Sequence, residues 1–214
     1  MTSLATLLAL SDSRLPTGGH VHSGGAEEAV TSGLVVDLDT LRAYLCRRIR
    51  TTGLVSASLA AAVHRGVLSA TAGSSGDAET DARTPSPAAR QASRAQGRGV
   101  IRLARRVWPS LDWESLGSTP HLAVAAGAVG RAAELAPEHT ALSLVYTTMT
   151  GSATAAQRLL ALDPGDVAAL TFALSPLCEQ TSAEAAKDLA DLSDPLLDVL
   201  AQRHLDRERP LFAS

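Results

Sequence analysis

Residues 88–108 read AARQASRAQGRGVIRLARRVW, and the fold class follows from how their side chains are spaced. Arg90, Arg94, Arg98, Arg102 and Arg106 recur at every fourth position, which on an α-helix lays five guanidinium groups along one slowly winding stripe. Gly97 and Gly99 stand inside the same helix. Each costs about 1 kcal/mol relative to Ala, so the pair predicts a close crossing by another segment. The stripe holds no carboxylate, although like charges at this spacing oppose a helix by a few tenths of a kcal/mol per pair, roughly. Something must therefore meet it. Glu79 and Asp81, or acidic residues of a neighbouring helix, would fold back onto it; an acidic surface of another protein would dock there; or nucleic acid would bind. The last reading lacks the interleaved aromatic residues that single-stranded binding uses.

Composition extends the helical reading to the whole chain. Hydrophobic residues make up 45% of the 214 residues but aromatic ones only 3%, so the core is built from Ala, Leu and Val. That favours close-packed helices over sheets, whose strands favour β-branched and aromatic residues. The expectation is an all-α, single-domain bundle of about eight to ten helices spanning 1–214. Predicted helices run over 25–32, stopped at Gly33; from an N-cap at Asp39 to Arg50; over 54–64, ended by Gly66; over 88–108; over 120–134; and over 137–162. Asp163 and Pro164 then start a helix running toward Cys178 across Pro176, and a last helix covers 195–207. Residues 72–87, AGSSGDAETDARTPSP, read as a surface loop.

The same numbers exclude several functions. A net charge of −3 and a pI near 6.1 give no global drive toward nucleic acid or an anionic membrane. Cys46 and Cys178 lie far apart without C-x-x-C spacing, which points to a reduced, cytoplasmic setting. The start, MTSLATLLALSDSRLP, has no basic n-region, and no run is long and apolar enough for a membrane span.

Residues 15–28, LPTGGHVHSGGAEE, carry four glycines, Gly18, Gly19, Gly24 and Gly25, which mark a sharp turn or a close approach to the backbone. A nucleotide loop would need a following Lys-Ser/Thr or a G-x-G-x-x-G after a strand, and neither is present. His20 and His22, with His204, are the residues from which a metal site would have to be drawn, but metal sites use three or four ligands and no complete set is assigned. No paired nucleophile and base, carboxylate pair or H-E-x-x-H motif occurs. The Cys178-Glu179 and His204-x-Asp206 pairs read as ordinary polar residues. The chain is expected to be an interaction protein, not an enzyme, and to need no cofactor.

In order along the chain stand Leu15-Pro16-Thr17-Gly18-Gly19 with Ser23, Gly25 and Glu27; then Glu79, Arg83, Ser93, Gly97 and Arg98; then His121 and Val124; then Tyr146 and Arg158; and finally Pro195, Asp198, His204, Arg209, Leu211, Phe212 and Ser214. In this succession the chain resembles the UreF family of urease accessory proteins nearly end to end. His20, Val21 and His22 depart from the Phe, Ser and Tyr of the family's first motif, and Pro164 stands near a glutamine of many relatives. The resemblance implies a helical homodimer that binds the accessory protein UreD (UreH) and through it the GTPase UreG, so that together they load nickel into the urease apoprotein subunits. The partner-binding residues carried over are Pro16, Gly18, Gly19, Ser23, Glu27, Glu79, Arg83, Arg94, Gly97, Arg98, Tyr146, Arg158, His204, Arg209, Leu211 and Phe212. A helical nucleic-acid binder and a stand-alone nickel-binding chaperone are the alternatives. Residues 1–25 and 195–214 are expected to be mobile in the free chain and to order when a partner covers them.

Overall fold

The computed structural model describes residues 4–17, 22–204 and 211–212. Among them there are α-helices and no β-strand: α1 (Leu4–Leu10), α2 (Ala26–Thr31), α3 (Leu38–Arg48), α4 (Leu54–Arg65), α5 (Ser75–Ala82), α6 (Pro87–Val107), α7 (Leu122–Ala132), α8 (Pro137–Leu160), α9 (Pro164–Ala185) and α10 (Pro195–His204). A single π-helical stretch, Ile49–Gly53, joins α3 to α4, so that residues 38–65 form one rod with a change of pitch in the middle.

α4 is the axis of the bundle. Its residues Leu54, Val55 and Ala57 to Val63 are all buried, and their small side chains let α7, α8 and α9 pack around it. The contact with α7 is backbone-close: a Cβ on Gly127 would sit 2.5 Å from the Ala60 carbonyl oxygen. Gly130 makes the same kind of approach, its missing Cβ leaving room for Thr140 at the start of α8. Burial of the largest members of this core, Leu41, Leu45, Ile49, Leu59 and Met149, is worth roughly 1.5–3 kcal/mol per side chain.

Helix starts follow the capping chemistry. Asp163 accepts from the N–H groups of Gly165 and Asp166, and Pro164 occupies the first turn of α9. Gly66 ends α4 at φ 78°, in the left-handed region. Three expectations are corrected. The N-cap of α3 is Asp37, not Asp39, because Asp37 and Thr40 form a reciprocal capping box. α7 begins at Leu122, two residues after Pro120, since His121 remains extended (ψ 153°). Residues 72–87 are not simply a surface loop: they contain α5, whose Gly76, Asp77 and Thr80 are buried. Gly76 lies too close to the Ser69 carbonyl to tolerate a side chain, and this packing, not helix propensity, holds α5 in place.

A cavity of about 350 Å³ is lined by Leu10, Leu15, Thr17, His22 and Gly24 and by residues of α4, α6, α7 and α8. No helix among the described residues is long and apolar enough to cross a membrane.

Candidate docking site at the joined chain ends

Glu27, at the start of α2, is 1% exposed. Burying a carboxylate is costly unless donors satisfy it, and here they come from the other end of the chain. The backbone N–H groups of Leu211 and Phe212 donate to its two oxygens at 2.9 and 3.1 Å. His204, the last described residue of α10, is also buried, with Nδ1 3.6 Å from the Glu27 carboxylate. Its Nε2 donates to the Phe212 carbonyl at 2.9 Å, which fixes that nitrogen as the protonated one. Phe212 packs against the main core cluster, whereas Leu211 beside it is 77% exposed.

The segment leading into α2 is tied down as firmly. The Gly24 carbonyl accepts from the Tyr44 hydroxyl at 3.0 Å and from the Arg48 guanidinium, and Ser152 donates to the carbonyl of the buried Ser23 at 3.2 Å. Gly24 and Gly25 hold φ values of 60° and 86°, and a Cβ on Gly24 would stand 2.6 Å from Arg48 Nη2. Both positions therefore require glycine. Asp194, just ahead of α10 and with its side chain 1% exposed, accepts a two-pronged bond from Arg47 of α3 (2.6 and 2.7 Å) and one from Thr51 of the π-helical stretch at 3.2 Å. Burial raises the Asp194 pKa, but the bonds from Arg47 and the Leu197 N–H outweigh it and hold the carboxyl below its usual range. Residues 22–27, 195–204 and 211–212 are thus packed in the free chain. Two buried carboxylates, Glu27 and Asp194, supply there the polar contacts that composition does not reveal.

A second group of expected residues lies across the molecule, where α5, α6 and α7 meet. Arg94 bonds Asp81 at 2.9 Å, the Thr119 carbonyl at 2.8 Å and, at the edge of range, Asp77 at 3.5 Å. Arg90 lies 3.8 Å from Asp81. His121, fully buried, bridges Asp81 through Nε2 (2.9 Å) and Ser93 through Nδ1 (3.0 Å), and Ser93 Oγ in turn accepts from the Leu122 N–H at 3.1 Å. Desolvation lowers the His121 pKa against the pull of Asp81, so the ring is neutral, with its hydrogen on Nε2 pointing at Asp81. Burial raises the Asp81 pKa, yet His121 and Arg94 together hold the carboxyl below its usual range. Gly97 permits this crossing, since any Cβ there would strike the Pro120 carbonyl. Glu79 and Arg83 form an ion pair one turn apart, and Arg83 also donates to the Ala190 carbonyl at 2.9 Å.

The remaining expected residues stand apart. Pro16 is exposed, its carbonyl 3.3 Å from Arg102, and Arg98, Tyr146 and Arg158 are exposed on α6 and α8. Gly18, Gly19, His20, Arg209 and Ser214 lie outside the described residues, as does the Asp206 of the His-x-Asp pair. Among the described residues no group of three or more His, Cys, Asp or Glu side chains is placed to hold a metal ion, and His204 is engaged by the tail. Of the two acidic residues expected to fold back onto the stripe, Asp81 does so while Glu79 pairs with Arg83; sequence reasoning missed Asp77, whose i,i+4 spacing to Asp81 was the available signal inside a stretch read as loop, and Asp194, which carried none.

The model of the UreF family matches residues 35–175. The chain belongs to the UreF family. Its similarity to individual members runs through the entire length, which the family match alone does not: a urease accessory protein UreF from Mycolicibacterium vanbaalenii is 85% identical over 214 residues, all of both chains. One from Mycobacterium sp. strain JLS is 74% identical, and one from Mycobacterium tuberculosis strain H37Ra 68%, each over the full length of both chains. Glu27, His204, Leu211 and Phe212, which build the joined ends, all fall outside the stretch that the UreF family model covers.

Proposed function

We propose that this UreF-family chain is a non-catalytic adaptor of urease maturation in the cytoplasm, which docks UreD (UreH) with its joined ends, pairs with a second copy of itself, and through the resulting complex recruits and regulates UreG while nickel passes to the urease apoprotein. The observation that carries the reading is the state of Leu211: its backbone is fixed by a buried carboxylate while its side chain projects into solvent. A leucine held rigidly outward binds a partner without the entropic cost of ordering a loose tail.

Co-purification from cells producing the chain with UreD and UreG tests this. The full chain is expected to bring down both. Deletion of Pro210–Ser214 is expected to abolish UreD capture while leaving helical circular dichroism unchanged. Undiminished UreD capture by the truncated chain places the docking surface elsewhere.

The arginine stripe gives little support to the nucleic-acid alternative. Arg90 and Arg94 are spent on Asp81 and Asp77, so two of the five stripe cations are not available to phosphates, and the salt dependence of any such binding is reduced accordingly.

A further inference from the structure

The cavity of about 350 Å³ takes Arg48 and Thr52 into its lining from the rod of residues 38–65, and Thr148 and Ser152 from α8. Of the two arginines in that lining, Arg83 is paired with Glu79, whereas Arg48 makes no ion pair among the described residues. Arg48 Nη1 donates to the Gly24 carbonyl, but Nε, shut off from bulk water, has no hydrogen-bond partner. The edge carrying Nε and Nη2 is the one by which a guanidinium grips two oxygens at once. A guanidinium stays charged, and leaving it half-buried and unmatched is costly.

No group of the chain answers it. Asp194 spends both oxygens on Arg47, and Asp12 spends its own on Arg14. Asp198 accepts from the Ser86 N–H at 3.4 Å and lies beyond ion-pair reach of Arg48. Tyr44, its ring centre 6.0 Å from the guanidinium carbon, donates to the Gly24 carbonyl, and burial pushes its pKa up, so it supplies no counter-charge. The π-helical stretch begins directly after Arg48, and turns of this kind recur where a chain holds a ligand.

We propose that this cavity binds a small monocarboxylate with an apolar body, its carboxylate against the free edge of Arg48 and its tail along Val55 and Leu144 of the same lining. One negative charge balances the one unmatched cation. A phosphate dianion would bring a second charge with no cation to meet it. The Thr148 hydroxyl, unbonded among the described residues, is a donor on the α8 side. Ser152 Oγ and Arg48 Nη2 stand 3.2 and 2.6 Å from the point that a Gly24 Cβ would occupy, so hydroxyl and guanidinium flank the same glycine. A few polar groups in a largely apolar cavity of this size are the usual make-up of a small-molecule site.

Isothermal titration calorimetry on the full chain at constant ionic strength tests it, with sodium hexanoate, acetate and inorganic phosphate as probes and circular dichroism as a check on folding. Hexanoate is expected to bind saturably and about tenfold or more tighter than acetate, because its extra methylenes leave water. Phosphate is expected to give no saturable heat. Arg48→Lys keeps the charge but loses the fork, and should weaken hexanoate about tenfold or more. Thr148→Val removes a donor that no other group uses, should weaken it about threefold, and decides the matter if Arg48→Lys does not fold. No saturable hexanoate binding, or equal binding by the parent and the well-folded variants, overturns the site. Phosphate bound in preference to hexanoate overturns the carboxylate and its apolar body.

Discussion

The two halves of α6 share one sequence pattern and lead different lives. In the first half Arg90 and Arg94 are drawn against Asp77 and Asp81 of α5, and Arg94 also holds the Thr119 carbonyl ahead of α7. In the second half Arg98, Arg102 and Arg106 are exposed, and Arg102 reaches only the Pro16 carbonyl. A uniform i,i+4 repeat is therefore two structures laid end to end: an internal ion network that pins three helices, and a cationic surface left for solvent or a partner. Periodicity tells which face a residue occupies; only the neighbouring element tells whether that face is inside.

Three experiments press on this contrast. Arg94→Glu is expected to have the largest effect, setting a third carboxylate against Asp77 and Asp81 and leaving the Thr119 carbonyl short of a donor. The loss is about 2–3 kcal/mol, read as a fall in the midpoint of urea unfolding; an unchanged midpoint would show that the network contributes nothing. A smaller effect is expected from acid. The folded His121 pKa lies below its unfolded value, so the unfolded chain binds more protons, and stability falls as pH drops below about 6.5 toward the folded pKa. His64, also lowered by burial and by Arg131, acts in the same direction. Asp81, lowered in the fold, adds stability that is present above its unfolded pKa and disappears only at lower pH, as the solution passes through the folded value. In urea titrations at pH 7.5 and 5.5, His121→Gln should show a shallower pH dependence than the parent, and equal slopes would remove His121 from the account. The least effect on folding is expected from Arg98→Glu, within about 0.5 kcal/mol as for an exposed site. Its influence should appear only in assembly with the partner proteins, so unfolding by Arg98→Glu would erase the distinction between the halves.

Much of the bundle was legible in local chemistry. Gly66, Pro137 and the Asp163-Pro164 pair end and start helices because caps and missing donors act within a turn of the residue that carries them. What was not legible depends on partners distant in sequence. α5 is composed of loop-forming residues, and it is helical because Asp77 and Thr80 are buried against later segments. Glu27 reads as an ordinary acidic residue near a helix start until Leu211 and Phe212 arrive to satisfy it. Among the docking residues taken from the family resemblance, Arg94 and Gly97 prove to be internal, Glu27 and His204 join the ends, and Tyr146 and Arg158 face outward far from both.

The bonds from Leu211 and Phe212 to Glu27 span 184 and 185 positions. Contacts of such separation close late, after the intervening helices have shortened the path between them. The join therefore couples the two ends, so that loosening residues 211–212 also strips the buried Glu27 of two donors and the start of α2 of its tie to α10.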